Sequence, residues 1–113
     1  MRIKLMADYQ CYPIWLIEDE ETDNIDPSVL PVSKSTLERL NCWAEWYDST
    51  LKQDDPENSG FKSSKEENDF NAEGVHLFRQ LLAELPKSYE VFYYSEDQQK
   101  LIAAVDVFSS SEE

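Results

Sequence analysis

The chain has 113 residues, enough for one compact domain and too few for a second independent core. Apolar residues make up 41% of it, which excludes a chain disordered throughout. Twenty-four acids against ten bases leave a formal net charge of −14 at pH 7. A surface of that sign repels phosphate backbones and anionic head groups, which argues against nucleic-acid and membrane partners.

Arg2 to Ala7 alternates with a period of two, Ile3 and Leu5 on one side and Lys4 and Met6 on the other, and predicts a strand. Tyr12 to Ile17 reads as a second short strand, with Pro13 directing it towards an edge. The longest near-apolar run, Cys11 to Ile17, has seven residues, whereas a membrane span needs about 20. Asp8 and Gln10 interrupt any signal-type stretch after Arg2 and Lys4. The expectation is a soluble, cytoplasmic domain. Two cysteines, Cys11 and Cys42, make no disulfide framework. One bridge is possible, and two buried thiols are the commoner arrangement.

An acid run follows, Glu18, Asp19, Glu20, Glu21, Asp23 and Asp26, with no base before Lys34. With Pro27 and Pro31 behind it, the run reads as a loop. Ser35 and Glu38 have the spacing of a capping box and open a first helix. Its buried stripe is Leu37, Leu40, Ala44, Tyr47 and Leu51, with Trp43 on the flank. Gln53 to Ser63 is a loop carrying Asp54, Asp55 and Glu57. Ser64 and Glu67 open a second helix, whose apolar face is Phe70, Leu77, Phe78, Leu81, Leu82 and Leu85. Gly74 falls within that face and admits close approach by another element, and Pro86 ends the helix. Ser88 to Tyr94 and Leu101 to Val107 form a terminal hairpin. The order ββααββ makes this an α+β domain over residues 1–108, two helices on one face of a small, mostly antiparallel sheet, with 109–113 a frayed tail.

Catalytic signals are weak. The one histidine, His76, lies on the polar side of the second helix, and there is no nucleophile elbow and no phosphate-binding glycine loop. Paired carboxylates are too abundant to point at acid–base chemistry. No enzyme activity and no cofactor are expected. Asp55, Glu57, Ser59, Gly60 and Glu66 fall at the first, third, fifth, sixth and twelfth places of a calcium-loop template. Pro56 and Lys62 depart from it, so a polar inter-helix loop without metal is the expectation, and a calcium- or small-molecule-responsive module is the alternative function.

Two residue groups invite a binding role. The Glu18–Asp26 acids are either solvated charge or an anionic patch that steers a basic partner. Trp46 and Cys42 lie off the buried stripe of the first helix, so Trp46 is either covered by a loop or presented to a partner as an apolar anchor. Trp15 and Trp43 are expected in the core.

The string Leu5-Met6-Ala7-Asp8-Tyr9, Cys11, Pro13 and Trp15 resembles the opening of a group of small acidic bacterial proteins. The resemblance continues through Ile25-Asp26-Pro27, Leu30-Pro31, Trp43, Tyr47-Asp48, Leu51, Asp55-Pro56 and Ser59-Gly60-Phe61, about two-thirds of the chain. These proteins are similar in size and acidity to immunity proteins of contact-dependent growth inhibition and related polymorphic toxin systems. The resemblance implies an immunity protein that binds a toxin. The surplus of carboxylates points to a cationic toxin domain, a nuclease whose phosphate-holding cleft is positive, neutralised by stoichiometric occlusion without catalysis. A regulatory subunit of a host complex is a further alternative. The resemblance assigns no contact residues; charge and helical position nominate Glu18, Asp19, Glu20, Glu21, Asp23, Asp26, Trp46, Asp54, Asp55 and Glu57.

Overall fold

The computed structural model describes residues 1–19, 21–50, 60–95 and 100–103. Strands β1 (Arg2–Leu5), β2 (Ile14–Ile17) and β3 (Thr22–Ile25) are followed by a 3-10 turn at Pro27–Val29. Helices α1 (Lys34–Asp48) and α2 (Ser64–Glu84) come next, then β4 (Glu90–Ser95) and β5 (Lys100–Ala103). The class is α+β as expected, but the order is βββααββ: the acid run taken as a loop contains a strand. Antiparallel pairing with β2 runs from Ile14↔Ile25 to Ile17↔Thr22. Acidic side chains disfavour a strand only where they meet buried or like-charged neighbours, and here they stand at a sheet edge in water.

The five strands form one sheet in the order β3-β2-β1-β4-β5. All neighbours are antiparallel except β1 and β4, which run parallel with Ile3 opposite Val91 and Leu5 opposite Tyr93. A parallel pair needs a long crossover, and the two helices lie within the connection between β1 and β4. Ile3, Leu5, Ile14, Val91, Tyr93 and Ile102 point to one face and join Leu40, Trp43, Phe70, Leu77, Phe78 and Leu81 in a single core. Phe78 of α2 stacks on Tyr93 with ring centroids 5.8 Å apart, setting α2 directly on β4. The opposite face carries Lys4, Trp15, Phe92, Tyr94 and Leu101, none of them fully buried. Trp15 is therefore not a core residue. The period of two turns it away from Ile14, and its indole N–H donates to the Met6 carbonyl at 3.0 Å with the Lys4 ammonium 5.8 Å from the ring.

Both helices begin earlier than their capping-box signatures suggest. Ser33, not Ser35, caps α1, accepting from the Thr36 N–H at 3.2 Å. Ser63, not Ser64, caps α2 in the same way through Glu66. In each case two candidate serines lie within two residues of one another, and spacing alone does not choose between them. The C-terminus of α2 falls at Glu84, two residues before Pro86.

Candidate partner-binding surface

The β2–β3 hairpin displays the N-terminal acids. The chain reverses between Glu18, whose N–H donates to the Glu21 carbonyl at 2.8 Å, and Thr22. Glu18, Asp19, Glu21 and Asp23 are all exposed. Arg2 and Asp19 form a long ion pair at 3.8 Å, with the Asp19 side chain fully open to water; such a pair contributes little. Asp26 differs from its neighbours: its carboxylate accepts from the Ser28 N–H at 2.9 Å and caps the 3-10 turn. Asn24 also holds the hairpin, its side chain accepting from the Tyr12 N–H and donating to the Tyr12 and Ile14 carbonyls. Glu20, Asp54, Asp55 and Glu57 lie outside the described residues, as does most of the calcium template.

Trp46 sits elsewhere. The hairpin turn is at the end of the sheet marked by Arg2, Ile17 and Glu90. Trp46 is near the C-terminus of α1, where Asp48 accepts from the Gln10 N–H of the β1–β2 connection at the other end. The hairpin acids and Trp46 thus do not form one patch. Trp46 is half-buried, meeting Phe70 edge to face at 5.2 Å. It lines a groove of about 580 Å³ between the helices with Ser35, Glu38, Arg39, Cys42, Trp43, Asp69 and Glu73. Cys42 is exposed and Cys11 half-buried, both as free thiols, so the expectation of two buried thiols fails at Cys42 and is met only in part at Cys11. Residues 35, 38, 42 and 46 recur at three- and four-residue steps, which places them on one side of α1; 69 and 73 do the same on α2. The small side chains of Ser35 and Cys42 leave room between the long ones.

The walls of the groove are tied together at three levels. Trp43 stacks on Phe70 at 4.7 Å and donates its indole N–H to the Phe70 carbonyl at 3.1 Å. Arg39 makes a two-pronged contact to Glu73, at 3.0 and 3.2 Å. At the far end, Glu84 accepts from the Ser33 N–H, the Thr36 hydroxyl and the Gln80 amide. These donors hold its carboxyl down at about 2, the Thr36 hydroxyl contributing most. No acid stands in the first turn of α1, so Glu84 supplies from α2 the negative charge that the helix N-terminus favours.

Of the groove carboxylates, Glu38 and Asp69 escaped sequence reasoning because helix capping and the macrodipole account for acids near a helix start without a partner, and Glu73, mid-helix, because an acid on a solvated face is ordinary. The usable signal was the shared side of α1 occupied by Glu38, Cys42 and Trp46. His76 is exposed on α2. Among the described residues no group of three or more His, Cys, Asp or Glu side chains is placed to hold a metal ion, and no helix is long and apolar enough to cross a membrane. A family model described as Serratia CdiI immunity protein-like matches residues 1–96. No curated protein matches the chain.

Proposed function

The chain belongs to the Serratia CdiI immunity protein-like family, and from that premise we propose that it is an immunity protein that binds a cognate toxin and neutralises it by stoichiometric occlusion. The toxin is a basic protein, a nuclease, and the immunity protein performs no catalysis of its own. The observation that carries the reading is the family match, which extends from β1 through β4. The charge supports the nature of the partner. A cleft that holds phosphates is positive, so a molecule of net charge −14 complements it for the same reason that nucleic acid does. The place of action is the cytoplasm, where such a toxin meets its substrate.

The reading expects an adjacent upstream reading frame for a large secreted effector, and the test is reconstitution with the toxin domain of that neighbour. The expected result is a 1:1 complex on size-exclusion chromatography and loss of nuclease activity at one equivalent of the chain. A toxin domain that stays fully active in excess immunity protein rules the reading out.

A further inference from the structure

The groove between α1 and α2 is built more elaborately than helix packing requires. Its volume of about 580 Å³ lies within the range of roughly 300–1,000 Å³ typical of sites that engulf a ligand group. Trp46 forms part of its wall and remains half-buried. Three carboxylates line it against one guanidinium. Arg39 engages both oxygens of Glu73. Asp69 pairs with Lys65, whose side chain is 86% exposed, a surface pair of little strength. Glu38 is exposed.

We infer that this groove receives an arginine-bearing segment of the toxin, its guanidinium lying against Trp46 and donating to Glu38 and Asp69; the inference rests on the immunity reading above. Charge complementarity selects the occupant. Guanidinium is planar, stacks on aromatic rings and forks onto carboxylates, whereas ammonium offers only a point charge. The Arg39–Glu73 contact is an internal instance of that pairing in the same groove. Trp and Arg are also the residues that concentrate binding energy at interface centres. The hairpin acids then act at a distance, steering the approach, while the groove holds the bound toxin.

Cys42 makes the groove directly readable in the unaltered chain, because it is an exposed free thiol in the lining. Cys11 is the internal reference: burial chiefly, with the charges of Asp8 and Asp48, pushes its thiol up and slows its reaction. The experiment measures maleimide modification of both thiols by mass spectrometry, in the free chain and in its complex with the neighbouring toxin domain. Cys42 modification is expected to slow at least tenfold in the complex. The Glu38→Gln/Asp69→Asn double variant, with its circular dichroism unchanged, is expected to bind about tenfold more weakly through faster dissociation. A stable complex in which Cys42 reacts as fast as in the free chain overturns the groove and leaves the immunity reading standing, with docking elsewhere, as on the hairpin. Absence of any complex overturns both.

Discussion

Gly74 is where the helix layer comes closest to the sheet. A Cβ at this position would stand 2.5 Å from the Tyr93 hydroxyl oxygen and 3.0 Å from the Trp43 ring. Both rings are fixed in the core, at 3% and 2% exposure, so neither can swing aside. Alanine is favoured over glycine in a helix interior by about 1 kcal/mol, yet overpacking a core of this kind costs about 1–3 kcal/mol. Gly74→Ala is therefore expected to lower stability in urea unfolding by about 1–2 kcal/mol, the reverse of its helix propensity. Glu84 is the second residue of this kind. Its carboxyl is held at about 2 against an ordinary 4.5. The stabilisation is complete above the ordinary value and is lost as pH falls from about 4.5 towards 2. Glu84→Gln is expected to destabilise the protein by about 2 kcal/mol at pH 7. The difference from wild type should close on titration from pH 5 to pH 2, as read from denaturant midpoints.

Two elements depend on side chains that mimic backbone. The β2–β3 hairpin is only four paired residues long, and Asn24 extends the pairing by bonding both backbone groups of Tyr12. That anchorage lets an acid-rich segment lie as an edge strand, and the exposed carboxylates of Glu21 and Asp23 keep a further strand from adding there. The acids were legible as charge and not as strand, because the alternation of Thr22 to Ile25 has one apolar member. Helix α1 begins through Ser33, which accepts from the Thr36 N–H while its own N–H donates to Glu84. Ser33→Ala removes the first of these bonds and keeps the second. The expected cost is about 1 kcal/mol, measured by thermal unfolding, with the α1 amides near 34–37 losing hydrogen-exchange protection first.

Charge acts at the scale of the whole molecule. The hairpin turn and Trp46 lie at different ends of the fold, and the turn and the helix groove both carry carboxylates in excess of bases. Long-range attraction sums over all of them, while short-range contact does not. Replacing Glu18, Asp19, Glu20 and Glu21 by their amides is expected to slow association with the toxin about tenfold at low salt. It should also flatten the salt dependence and leave the dissociation rate nearly unchanged. Stopped-flow association across a salt series reads all three.

The α+β class, the strand Arg2–Leu5, both helices and the buried face of α2 were legible from the amino-acid order, because periodicity and stop signals are local properties. On α1 the buried residues are Thr36, Leu40 and Trp43, so of the expected stripe Leu40 alone is buried among the described residues. Trp46, expected off the apolar stripe of its helix, instead packs at the margin of the core against Phe70. Pairing was not legible. The parallel alignment of β1 with β4, the third strand in the acid run and the outward turn of Trp15 depend on which residues stand opposite one another across long stretches of chain. The groove was hidden for the same reason: Glu38 and Trp46 belong to one helix and Asp69 and Glu73 to another, and the packing of Trp43 on Phe70 with the Arg39–Glu73 and Glu84 contacts brings the two sides together. Composition stated that the molecule would be strongly negative, but tertiary packing decided where that charge meets an aromatic wall.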